Sequence, residues 1–157
     1  MEAEPTTRPT LRKDLLSSEL SASVGFLLAK AAELVTADFE HSLRPYGIRA
    51  RDYGVMSLLY RHGALSQQQI GEAVQIDRTT MVSVIDELES AGLVERTRDP
   101  QDRRRYAVTL TDKGAKLFHG ALAQVNDEVH DAFLARLTGV ERESLIAMLT
   151  RLVVDDR

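Results

Sequence analysis

Arg78, Thr79, Thr80, Val82 and Ser83 fall within six residues and combine a guanidinium, three hydroxyls and a branched apolar side chain. A guanidinium can pair with guanine or hold a phosphate, hydroxyls can bond to base edges or backbone oxygens, and a valine can meet a thymine methyl. Gln67 and Gln68 stand upstream as amide donors. Downstream, Arg98, Arg103 and Arg104 belong to a stretch, 96–105, with five arginines and two aspartates, a local charge of +3. Each of these groups alone is an ordinary surface side chain. They become a nucleic-acid surface only if the chain folds them onto one face.

The pattern around them supplies such elements. Residues 11–43 carry Leu20, Val24, Leu27, Leu28, Ala31, Leu34, Val35, Phe39 and Leu43 at spacings of three and four, which predicts one long helix with an apolar stripe. Pro45 and Gly47 end it. A second helix is expected from about Arg51 to His62, with Val55, Met56, Leu58 and Leu59 inward and Gly63 as a left-handed C-cap. Ser66 and Gln69 form a capping box that opens a short helix to Val74. After the tight Gln75-Ile76 connection, Asp77 caps a further helix whose inner face is Met81, Val84, Ile85 and Leu88. Leu88, Gly92 and Leu93 sit where a Schellman ending needs them. Two short helices joined in this way make a helix-turn-helix.

A β-hairpin is expected next, Leu93–Arg98 against Arg105–Leu110, with the arginine-rich stretch at its tip. Thr111 caps a long helix carrying Leu117, Phe118, Leu122, Val125, Val129 and Phe133. Thr138 and Glu141 box the start of a last one, expected to bury Leu145, Met148 or Leu149, Leu152 and Val153. The fold class expected is mainly α with a small β-hairpin wing (α+β): a winged helix-turn-helix core flanked by long dimerisation helices. The divisions are a mobile tail at 1–10, a helical dimerisation region at 11–44 and 111–157, and a winged helix-turn-helix DNA-binding domain at 45–110. The second helix of the pair would enter the major groove, and Gln67 and Gln68 would fix register on the backbone. Asp86 shares that face, and we expect a wing arginine to hold it.

Composition narrows the alternatives. The 157 residues carry 20 Lys+Arg against 24 Asp+Glu, a net charge of −4. That sum conceals a segregation: residues 44–116 are at +2 and the remainder at −6. With no cysteine in the chain, disulfides, thiolate metal sites and cysteine catalysis are excluded. His119 and His130 lie too far apart on one helix to share an ion, and His41 and His62 have no partner at ligand spacing, so no metal and no cofactor is expected. No Gly-rich phosphate loop, H-E-x-x-H or G-x-S-x-G occurs, so no enzyme is expected. Absence of an apolar run of membrane-spanning length and of a secretory signal makes the cytoplasm the expected compartment.

The segments Leu65-Ser66-Gln67-Gln68-Gln69-Ile70-Gly71, Asp77-Arg78-Thr79-Thr80-Met81 and Asp86-Glu87-Leu88-Glu89-Ser90-Ala91-Gly92-Leu93-Val94-Glu95-Arg96 resemble the helix-turn-helix of the multiple-antibiotic-resistance regulator (MarR) family. Asp99-Pro100-Gln101-Asp102-Arg103-Arg104 followed by Val108-Thr109-Leu110-Thr111-Asp112-Lys113-Gly114 is similar to the family's wing, D-x-R to L-T-x-x-G. The likeness spans about residues 20–155. It implies a homodimeric transcriptional regulator, usually a repressor, on a pseudo-palindromic double-stranded operator, released by small ligands that are often phenolic or aromatic acids. It further implies that Arg104 is the wing arginine with Asp102 as its loop partner, and that Thr79, Thr80 and Ser83 lie on the recognition helix. Gln75 stands where the family often has glycine, and Ser83 where many members have arginine. The cysteine-dependent peroxide-sensing branch is excluded, and the urate-sensing branch is disfavoured because its leading-helix tryptophan has no counterpart in this chain.

A dimer is expected on physical grounds as well. The apolar stripes on 14–43, 111–136 and 141–154 exceed what one small winged core can cover, and two copies would bury them. An effector would sit where these helices meet the winged core, near His41, Arg44, Tyr46, Arg51 and Tyr53, with Arg51 able to pair with a carboxylate. The alternatives are a winged helix used for protein contacts and a DNA-binding regulator without a ligand.

Overall fold

The computed structural model describes residues 11–12, 14–98 and 106–154. The chain order is α1 (Ser18–Ala22), α2 (Val24–Leu43), a 3-10 turn (Arg44–Tyr46), α3 (Ala50–His62), α4 (Gln67–Val74), α5 (Arg78–Ser90), β1 (Val94–Arg98), β2 (Tyr106–Leu110), α6 (Asp112–Leu117), a π-helical turn (Phe118–Leu122), α7 (Ala123–Phe133) and α8 (Gly139–Val153). The fold is mainly helical with one antiparallel hairpin, in register from Val94↔Leu110 to Arg98↔Tyr106.

The core follows from the sequence pattern. Val55, Met56 and Leu59 of α3, Ile70 of α4, and Met81, Val84, Ile85 and Leu88 of α5 are all buried, while Leu58 is half-buried beside them. Leu93, Val94 and Val108 close this core from the hairpin side. Phe118, Leu122, Val125 and Val129 extend it along the helix that follows. Each such side chain contributes about 1.5–3 kcal/mol of transfer free energy, so the α4–α5 pair is held chiefly by apolar contact. The hairpin is tied in by a bridge absent from the pattern-based expectation. Leu65 N–H donates to Val108 O (3.1 Å) and Val108 N–H to Leu65 O (2.8 Å). Leu65 thereby joins the segment before α4 to β2.

Three features depart from expectation. The long first helix is broken: residues 14–17 are not helical, and Ser23, at φ −79° and ψ 107°, ends α1 and caps α2 through its side chain. Serine competes for backbone donors with its own hydroxyl, which here wins over helix continuity. Gly63 has a positive φ of 75°, but its ψ of −135° lies outside the left-handed helical region. In α8 no residue is buried: Leu145 and Leu149 are half-buried, while Met148, Leu152 and Val153 are exposed. Among the described residues none covers that side of α8.

Candidate nucleic-acid interface

Two helix starts and one helix end decide where α4 and α5 point. Ser66 Oγ accepts from Gln69 N–H, and the Gln69 side-chain oxygen accepts from Ser66 N–H (2.9 Å), so the capping box is complete. The α4–α5 connection turns at Gln75, which adopts φ 53° and ψ 43° without being glycine. Asp77 then caps α5, Oδ1 accepting from Thr79 N–H and Thr80 N–H (both 3.0 Å) and Oδ2 from Thr80 Oγ1 (2.6 Å). These bonds to Thr80, the hydroxyl first, hold the Asp77 carboxyl below its ordinary pKa. At the far end Leu93 N–H reaches Leu88 O (2.9 Å) and Gly92 N–H reaches Glu89 O (2.8 Å). That is the Schellman pair, with Gly92 at φ 69° where a side chain would be strained.

With Met81, Val84, Ile85 and Leu88 turned inward, α5 exposes Arg78, Thr79, Val82, Ser83 and Asp86. Arg78 and Val82 line an open cleft of about 740 Å³ between α4 and α5, together with Gln67, Gln68, Gln75 and Asp77. Gln67 opens α4 with its Nε2 buried and without a hydrogen-bond partner. Such a donor is costly unless something else completes it. Gln68 is engaged within the helix, Nε2 donating to Glu72 Oε1 (2.9 Å). Thr80 is half-buried, and its hydroxyl is committed to the Asp77 cap. Of the hydroxyl residues predicted for this face, Thr79 and Ser83 are the exposed ones.

Arg96 fastens the wing to α5. Arg96 of β1 sends Nη2 to Asp86 Oδ1 (2.5 Å) and Nη1 to Glu89 Oε2, while its backbone N–H donates to Glu89 Oε1 (3.1 Å). Burial opposes the Arg96 charge, and the two carboxylates more than offset it, so its proton is held above the ordinary arginine value. Asp86, the carboxylate expected to need a wing arginine, is therefore paired. Arg98 lies over the Tyr106 ring (5.1 Å) at the base of the hairpin. Asp102, Arg103 and Arg104 lie outside the described residues, as does the tail at 1–10.

The five residues expected near an effector have different surroundings. His41 and Tyr46 are exposed, and Arg44 lines a shallow cleft with Glu40, Gly47, Ile48 and Arg49. Arg51 pairs with the chain's own carboxylates, Asp52 (3.3 Å) and Glu87 (3.1 Å). Tyr53 stacks instead in an aromatic row, 5.0 Å edge-on to Phe39 and 5.2 Å from Phe118, which also meets Tyr60. Burial, and then the charge of Asp127, raise the Tyr53 pKa. Among the described residues no cluster of acidic or histidine side chains could hold a metal ion, and no helix is long and apolar enough to cross a membrane.

Residues 48–106 match the model of the MarR family. A putative transcriptional regulatory protein for the hcr operon of Thauera aromatica is 31% identical over 147 residues, covering 91% of this chain and 86% of that one. The chain belongs to the MarR family. CouR of Rhodococcus jostii RHA1, a transcriptional repressor solved on a 23-mer DNA duplex, superposes with a TM-score of 0.77 at 32% identity, covering 89% of this chain and 99% of CouR. CouR has also been solved with p-coumaroyl-CoA. BpsR of Bordetella bronchiseptica, whose DNA binding is regulated by 6-hydroxynicotinic acid, superposes with a TM-score of 0.77 at 28% identity, covering 87% and 96%. The MarR-family hairpin is here the β1–β2 pair, and its helix-turn-helix is α4–α5.

Proposed function

We propose that this MarR-family regulator is a homodimer that binds a pseudo-palindromic operator through α5, represses transcription, and is released by a small phenolic or aromatic acid. The observation that carries the DNA reading is the orientation of α5. Four apolar residues bury one side, while Arg78, Thr79, Val82 and Ser83 stand out on the other at its N-terminal end. An N-terminal helix turn of this width and chemistry fits the major groove, which is about 12 Å across. Gln67 and Gln68, at the start of α4, would bond to backbone oxygens of the duplex and fix register. Arg98, Arg103 and Arg104 would follow the backbone into the neighbouring minor groove, with Asp102 orienting Arg104 and Asp86 held back by Arg96.

Acidic residues of the outer helices suit this arrangement, since negative charge held away from DNA would cost little beyond a Debye length of ~8 Å. The effector part rests on kinship with CouR and BpsR and on the aromatic row Phe39, Tyr53, Phe118, placed where α2 and α3 meet the π-turn. His41, Arg44, Tyr46 and Arg51 lie near that junction in sequence and would contribute its polar groups.

The test is selection of a duplex from a random-sequence library, followed by titration of variants on it. Arg78→Ala is expected to weaken binding and relax preference at one base pair, costing about 1–3 kcal/mol. Arg104→Ala is expected to weaken all duplexes alike and reduce the salt slope by about 1. No enriched sequence for the unmutated protein would refute the reading. Unchanged affinity of Arg104→Ala at two salt concentrations would refute the wing's part in it.

A further inference from the structure

The C-terminal half of the recognition helix carries three carboxylates in four positions, Asp86, Glu87 and Glu89, close to where a polyanion would lie. Asp86 and Glu89 are taken by Arg96. Glu87 is taken from another direction: Arg49 Nη2 approaches its Oε2 at 2.5 Å and Arg51 Nη2 the same oxygen at 3.1 Å. Glu87 and Glu89 are two residues apart, which is about 200° around an α-helix. The arginine contacts therefore grip α5 on opposite flanks, the wing strand on one and the start of α3 on the other.

The α3 side of this grip is itself anchored. Arg49 N–H donates to Asp52 Oδ2 (3.0 Å), Arg51 Nε to Asp52 Oδ1 (3.3 Å), and the Asp52 side chain is only 5% exposed. Ala50 N–H donates to Glu40 Oε1 of α2 (2.8 Å). A continuous set of polar contacts thus runs from α2 through the start of α3 to the outer flank of the recognition helix. Apolar packing of Met81, Val84, Ile85 and Leu88 holds α5 against the core and decides which side faces it, leaving only small rotations about its own axis to be set by directional contacts. Charged hydrogen bonds on both flanks are such contacts.

We propose that Glu87, held by Arg49 and Arg51, is a positioning residue that sets the rotation of α5, and hence which side chains meet the bases. The inference rests on the DNA-binding reading above and adds to it a residue that itself touches no DNA. It makes a prediction of sign. If Glu87 were only a negative charge near DNA, removing it would tighten binding to every duplex. If it positions the helix, removing it weakens binding to the preferred duplex although the protein has become less acidic.

The experiment titrates full-length unmutated protein, Glu87→Gln, Glu87→Asp and Arg49→Gln/Arg51→Gln against two DNAs. These are the duplex selected by the unmutated protein and poly(dI-dC), with thermal unfolding run in parallel. The expected result is a fall of about threefold or more in the preferred-to-nonspecific affinity ratio for Glu87→Gln, with nonspecific affinity equal or higher. Glu87→Asp should recover part of the ratio. The arginine pair, which leaves Glu87 in place, should lower the ratio as well, so the proposal stays testable should one variant fold poorly. An unchanged or raised ratio in Glu87→Gln overturns it. If the unmutated protein selects no sequence, the DNA reading falls and this proposal with it.

Discussion

Gly114 leaves no room for any side chain: a Cβ there would lie 2.0 Å from the Leu93 carbonyl oxygen and 3.2 Å from Leu110 Cδ2. The first of these is backbone, held by the Thr111 N–H (3.0 Å), and cannot swing aside as a flexible side chain would. Thr111 Oγ1 adds a bond to Gly92 O (2.7 Å) and accepts from Gly114 N–H (3.0 Å), locking the start of α6 against the end of α5. Gly114→Ala is therefore expected to cost about 2–3 kcal/mol or more, read as a lower midpoint in urea unfolding. A change below about 0.5 kcal/mol, the range of an inert surface substitution, would show that the two segments separate readily. The sequence displays the glycine but not its reason. The carbonyl it meets is 21 positions away, and no local spacing encodes that approach.

Among the elements, α5 depends most visibly on one side chain. Its start is held by Asp77, whose carboxyl keeps a depressed pKa because the ionised form accepts from Thr80 and Thr79. A folded pKa below the unfolded value of about 3.9 means the contribution is fully present above that value and is lost as pH falls through the lower, folded one. Asp77→Asn keeps a cap of similar quality but cannot titrate. We expect it to match the unmutated protein near pH 7 and to lose less stability between pH 5 and 2 in thermal melts. Parallel acid limbs would mean that Asp77 carries none of this dependence. The cap was legible because capping is local: Ser66, Asp77, Thr111 and Thr138 all stand at helix starts and all accept the expected backbone donors. The break at Ser23 was not, since Leu20, Val24 and Leu27 keep helical spacing across it. Nor were the Arg49 and Arg51 contacts to Glu87, made between residues 38 and 36 positions apart.

For the whole molecule, the apolar side chains without cover are informative. Val24, Leu27 and Leu28 of α2, and Ile146, Met148, Leu152 and Val153 of α8, are exposed in the single chain. That repeats the excess of apolar stripe visible in the sequence, and a second copy would remove it from water. Leu152→Glu is expected to shift the protein toward monomer in light scattering and to weaken operator binding, since each half-site would then be held alone. A variant that stays dimeric would move the interface off α8. One last feature bears on how the chain tolerates change in length. The helix from Asp112 to Phe133 widens into a π-turn at Phe118–Leu122, a turn that takes up nearly one residue more than an α-turn. A Cβ on Gly120, inside it, would meet nothing within 4 Å. The helix thus stores a spare residue: deleting Gly120 would let the turn relax to α while Val125 and Val129 stay in phase with α2. A one-residue deletion, ordinarily ruinous inside a packed helix, has a place to be absorbed here.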